Sequence, residues 1–391
     1  MRVWIGLAAF MALFAALALL WMPACAKVPE HSKPDRKHEA SAAANDDAAH
    51  AITPEEKAYS ETVRESLREH ARALAKRGDA RSLLAATLIY PNPFPVDSNV
   101  YGTPVPAEAR AWFDEARRLD PNDPLIAWLD ATNCTLLSLV CNRNEASRHV
   151  VQLEPHNAAA HALAASVAYE GQDTATGRAE LSMAARSTLY DTHARDTLGL
   201  LHSALHDWSS PAIPETVRRQ QEASRKPEQD WSANNPGDVQ AHALVVSLFV
   251  QIPPVQCWVN HLPTTDDALR HDCIAISKHR AEADDTLVGQ LTSLSFLVRL
   301  RTDENALHWR EQYLRLQWLV AQYEKLMEDE SKKPKPDRLI DVDATLREGE
   351  VEIMRNLLRS HDMAVEPPVG WLPDDERNRS LILTGRLSTK K

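Results

Sequence analysis

Few residues in this chain have the types and spacing that chemistry needs, and most of those are cysteines and histidines. The cysteines are Cys25, Cys134, Cys141, Cys257 and Cys273. A structural zinc site favours C-x-x-C pairs, and neither Cys134/Cys141 nor Cys257/Cys273 has that spacing. Leaving aside Cys25 in the leader, an even set of four reads as disulfides, and of the three connectivities the sequential one closes the shortest loops. On one unbroken helix Cys134 and Cys141 would stand about 10 Å apart, beyond the ~7 Å a disulfide tolerates. That bridge therefore predicts a turn of the chain near Ser138 to Val140. His202 and His206 lie four apart beside Asp207, with His193 shortly upstream. Two imidazoles at helical spacing can grip one metal, but no third ligand or general base stands out, so they read as solvated helix histidines. The sequence holds no nucleophile elbow, phosphate-cradling glycine loop or zinc-protease helix motif, and no cofactor is expected.

The elements that carry these residues are helical. Only 11 of 391 residues are glycine, and alanine and leucine abound, so an all-α fold is expected. The net charge of -11 disfavours phosphate backbones and anionic lipid surfaces, which argues against nucleic acid as a partner. Residues 1–26 read as an export signal: Met1-Arg2, an apolar run from Val3 to Met22, then Pro23-Ala24-Cys25-Ala26. Three readings of its boundary stand side by side. Ala24 and Ala26 fit cleavage before Lys27. Met22-Pro23-Ala24-Cys25 resembles a bacterial lipobox, which would acylate Cys25, although Met22 and Pro23 depart from its usual residues. The length of the apolar run also suits an uncleaved anchor. Each of them places Lys27 onward outside the cytoplasm, in the periplasm or on the outer surface of a bacterial envelope, with residues 1–25 as a membrane tether in the anchored cases.

Residues 27–52 are polar without periodicity and read as a disordered tether. Order is expected from Thr53-Pro54-Glu55-Glu56, where threonine can cap and proline suits the first helical turn. That helix should run to about Lys76, and Gly78 should close a turn into a second helix, Ala80 to Tyr90. Ala107 to Leu119 follows, with Trp112, Ala116 and Leu119 along one face. Residues 210–234 turn polar and proline-rich, a linker or exposed excursion, and Val239 to Ile252 reads as a buried helix. A C-terminal helical region, residues 235–361, carries Leu287 to Leu300, Asn305 to Met327 and one last helix from about Val342 to Leu358. The stripe Trp309, Tyr313, Leu316, Val320 and Tyr323 reads as helix packing, and residues 362–391 as a poorly ordered tail.

One internal echo organises residues 53–209: Leu119-Asp120-Pro121-Asn122-Asp123 returns 34 residues later as Leu153-Glu154-Pro155-His156-Asn157. A 34-residue period marks helix hairpins that bury their apolar faces by stacking. The pattern resembles the tetratricopeptide repeat. Ahead of Pro121, Ala109 and Ala116 occupy that family's small positions and Phe113 the aromatic one between them. The unit Pro124 to Asn157 keeps Ala131 and Pro155 but departs at Arg143 and Val150. The unit Ala158 to Asp191 keeps Ala165, Gly177 and Ala184, with Leu189 in place of the closing proline. The likeness covers about 85 residues. It implies a helix-hairpin solenoid, continued by the further C-terminal helices.

The function these features imply is a non-catalytic, exported scaffold or adaptor that binds a peptide or protein. The enzyme alternative is a peptidoglycan-lytic or metal-dependent activity on a helical scaffold. In tetratricopeptide arrays the first helix of each repeat lines the concave surface. The resemblance therefore makes Pro124 to Leu137 and Ala158 to Gly171 the inner helices, and Trp128, Asn133, His161 and Tyr169 the candidate partner contacts. Neither stretch contains lysine or arginine, so the family's carboxylate clamp is not carried over and the groove would suit an apolar or basic peptide. The competing role of Trp128 and Tyr169 is packing between repeats.

Overall fold

The computed structural model describes residues 53–90, 105–223, 257, 266–300, 305–331 and 341–388. The described residues form fifteen helices and no β-strand. The export signal, Cys25, the tether and the helix expected over Val239 to Ile252 lie outside the described residues. The chain divides into two compact units, Met1–Val63 with Ala212–Ser224, and Arg64–Pro211 with Arg225–Lys391.

The smaller unit contains the first turns of helix α1 (Pro54–Ala75) and helix α9 (Glu215–Ala223). The start of α1 is a capping box. Glu56 N–H donates to Thr53 Oγ1 at 3.2 Å while Thr53 N–H donates to Glu56 Oε2 at 2.9 Å, so two otherwise orphaned donors are satisfied reciprocally. Thr53 Oγ1 also donates to Gln220 Oε1 on α9 at 3.0 Å.

The larger unit is built from helix hairpins. Helix α2 (Ala80–Ile89) pairs with α3 (Ala107–Leu119), α4 (Pro124–Leu137) with α5 (Arg143–Leu153), and α6 (Ala158–Glu170) with α7 (Thr174–Arg186). The sequence echo marks the caps of these hairpins. Asp123 Oδ1 accepts from the N–H groups of Leu125 and Ile126, and 34 residues on Asn157 Oδ1 accepts from Ala159 N–H. A third copy falls at Asp191, whose Oδ1 accepts from His193 N–H at 2.7 Å. On α3 the buried face is Ala109, Phe113 and Ala116, each 0% exposed, whereas Leu119 is 43% exposed. The repeat alignment thus locates this face and the simpler i, i+4, i+7 reading does not; Trp112 instead sits edge-on to Tyr90 with ring centroids 5.4 Å apart.

After Asp191 the chain leaves the repeat path. Helix α8 (Ala194–Leu205) begins where the first helix of a further repeat would, but it packs on α2 and on helix α13 (Val342–Glu348). The stacking position on α7 goes to α10 (Asp267–Ala283), where Ser182 Oγ donates to Asp272 Oδ2 at 3.1 Å. Helix α10 pairs with α11 (Leu287–Leu300), which packs on α12 (Ala306–Ser331). A core of Leu291, Leu297, Trp309, Tyr313, Leu316 and Leu326 then receives Met354 and Leu358 from α14 (Glu350–Ser360). The aromatic stripe of α12 is packing.

Two C-terminal expectations are corrected. The last helix is split into α13 and α14 at Gly349, whose φ of +83° breaks the helical path and lets Glu350 N–H donate to Asp285 O at 3.1 Å. The poorly ordered tail instead contains helix α15 (Glu376–Thr384), capped by Asp375 and closed by Gly385 at φ +71°. Leu381 is 0% and Ile382 8% exposed, both in the core just described, so the tail ends in an amphipathic segment that this core covers.

Candidate functional site

The four side chains expected to meet a partner are largely spent inside the protein. Helix α4 is buried at seven consecutive positions, Leu125 to Ala131, and α6 at five, Ala158 to Ala162. Seven residues make nearly two turns, so α4 is covered on every side rather than lining an open groove. Trp128 is 0% exposed, its ring 5.6 Å from that of His193, and His161 is 3% exposed. As surface contacts these two are corrected: α8, absent from the repeat alignment, runs past α4 and α2 and fills the inner side. Asn133 is half-buried and donates to Thr132 Oγ1 at 2.8 Å. Tyr169, also half-buried, lies on Gly177, where a Cβ would come within 2.8 Å of its ring. That contact is why a small residue stands at position 177.

Both disulfides follow the sequential pairing. Cys134 and Cys141 have Cα atoms 5.2 Å apart across the turn that separates α4 from α5, and Cys257 and Cys273 stand at 5.3 Å. The α4–α5 turn is further held by Asp114, which accepts from Ser138 Oγ at 2.5 Å and from Leu139 N–H at 3.0 Å. Between these restraints Leu139 is 50% and Val140 70% exposed. Two bridges fit an oxidising compartment. No helix among the described residues is long and apolar enough to cross a membrane.

The histidines do not converge. His202 and His206 stand with ring centroids 6.2 Å apart and His202 faces Asp343 at 3.3 Å, while His193 turns away at the far end of α8. Among the described residues no group of three His, Cys, Asp or Glu side chains is arranged to hold a metal.

The structure builds instead a buried polar hub that sequence reasoning did not assemble. Asn157, 0% exposed, donates through Nδ2 to Glu154 Oε2 at 3.1 Å and to Asp191 O at 2.8 Å, and accepts from Asp191 N–H at 3.0 Å. His193 Nε2 donates to Glu154 Oε2 at 2.9 Å and Nδ1 faces Asp196 Oδ2 at 3.4 Å, with the backbone left-handed at φ +56°. The hub joins the end of α5, the start of α6 and the start of α8. Its signal was present in the 34-residue spacing of Asp123, Asn157 and Asp191. A parallel arrangement holds His161, whose Nδ1 donates to Glu180 Oε2 at 2.6 Å and Nε2 to Pro155 O at 3.1 Å. Burial alone would lower the pKa of each imidazole. For His161 the hydrogen bonds to Glu180 and Pro155 O outweigh it, and for His193 the bond to Glu154 and the charges of Asp191 and Glu154 do, so both stand above the usual histidine value.

Comparison of the chain with family models, curated proteins and solved structures finds no match. The tetratricopeptide likeness therefore rests on the quoted residues and on the hairpin packing.

Proposed function

We propose that the protein is a non-catalytic helical scaffold or adaptor, exported from a bacterial cytoplasm, that binds a protein or peptide through the rim of its hairpin array. The observation that carries this reading is the α4–α5 turn. Leu139 and Val140 expose an apolar pair on a loop held by the Cys134–Cys141 bridge and by Asp114. A side chain already held in place loses little conformational entropy when a partner covers it, so a small rigid apolar knob can anchor an interface. The contact point thus moves from the inner face to the hairpin tip. The two disulfides support action in an oxidising compartment. Cys25 remains the candidate lipid anchor.

A photo-crosslinker placed at position 140 of the full-length protein in the native envelope, followed by mass spectrometry, tests the reading. One dominant adduct, lost in Leu139→Asp, is the expected result. Peptidoglycan hydrolysis in zymograms, or a stoichiometric metal in the purified protein, would favour the enzyme alternative instead.

A further inference from the structure

We propose that His193 is a protonation-dependent latch that holds the first turns of α8 against the α4–α7 hairpins and releases them when the imidazole loses its charge. The inference rests on the geometry of the turn at Asp191 and is independent of what the protein binds.

The argument starts from donors and acceptors. Both ring nitrogens of His193 face carboxylate oxygens, Glu154 Oε2 and Asp196 Oδ2, and a carboxylate has no proton to give. Only the doubly protonated ring satisfies both. The groups facing it are Glu154 at the end of α5, Asp191 in the turn and Asp196 on α8, with the Trp128 ring of α4 beside it, so the charges around the ring are all negative. The ring is 4% exposed, which leaves little access for water to replace a lost bond. Because burial is outweighed by Glu154 and Asp191, the folded-state pKa is raised above the ordinary value near 6.5. The sign follows. The latch is fully made below the unfolded-state pKa, and its contribution is lost as pH rises through the higher folded value.

Position in the chain turns this local change into a conformational one. His193 is the residue at which the backbone leaves the repeat path, in a left-handed conformation that a β-carbon disfavours. What keeps it there is the hub. Loss of the Glu154 bond removes a side-chain tie between α5 and α8, while Asp191 Oδ1 still accepts from the His193 N–H. Thr197 and Leu198, buried in the next turn of α8, would then become open to solvent exchange.

The test is amide hydrogen exchange of the full-length, oxidised protein from pH 5.5 to pH 9, expressed as protection factors so that the base-catalysed intrinsic rate is removed. Protection of Thr197 and Leu198 should fall at least tenfold across this range, with α4 as the internal reference. Glu154→Gln is the decisive variant. Its amide oxygen can accept from Asn157 Nδ2 while its amide nitrogen donates to a neutral His193 Nε2, leaving His193 Nδ1 to donate to Asp196. Every group is then satisfied without charge, and the pH dependence should flatten. His161→Gln, which alters the α6–α7 pair, should leave the fall at Thr197 and Leu198 in place. Protection that does not change with pH in the wild type, or a fall in Glu154→Gln equal to the wild-type fall, would overturn the proposal.

Discussion

Replacing Gly289 by alanine sets two effects of opposite sign against each other. Gly289 lies in the first turn of α11, where alanine would ordinarily stabilise by at most about 1 kcal/mol. Its added Cβ would overlap the carboxylate of Asp284. That carboxylate cannot simply swing aside. Oδ2 accepts from Arg280 Nε at 3.0 Å, and Oδ1 accepts from Thr286 N–H at 2.9 Å and Thr286 Oγ1 at 2.7 Å. The Arg280 and Asp284 side chains are 4% and 2% exposed. Displacing Asp284 strands a buried guanidinium whose Nη1 already lacks a partner, and breaking such a pair costs about 3–5 kcal/mol. The net expectation is a loss of about 2–4 kcal/mol. Urea titration followed by circular dichroism reads it as a lowered midpoint at unchanged slope. A Gly289→Ala protein as stable as the wild type, or more stable, would show that propensity dominates and that the packing argument is wrong.

Peptide mapping under non-reducing conditions should give Cys134–Cys141 and Cys257–Cys273 alone; a peptide joining Cys134 to Cys257 would refute the pairing. Opening the shorter bridge by Cys141→Ser should cost roughly 2–3 kcal/mol and the longer one roughly 3 kcal/mol on chain-entropy grounds. Leu381→Ala should cost about 2–5 kcal/mol, the range for a fully buried leucine, whereas a residue in a dangling tail would cost nothing measurable in the same titration.

The sequence by itself determined what depends on neighbours along the chain. Helix starts were legible at Thr53 and Asp123 because a capping side chain and the N–H groups it satisfies lie within three residues of each other. The turn between Cys134 and Cys141 was legible because a disulfide has a fixed reach and a helix a fixed rise. The buried face of α3 was found by the repeat alignment and missed by periodicity, since on a short helix several stripes fit equally well and only the partner helix selects one. Tertiary structure alone decided the fate of α8. Its sequence suits the next repeat, and nothing local says that it packs on α2 and α13 while α10, some 60 residues further on, takes the place on α7. The same holds for α15, whose apolar residues gain their reason only from a core assembled by α11, α12 and α14. Trp128 and His161 stood at groove positions by alignment, and what buried them was a segment distant in the alignment but adjacent in space. Long-range burial of this kind is an energy shared between segments, and neither segment carries it alone.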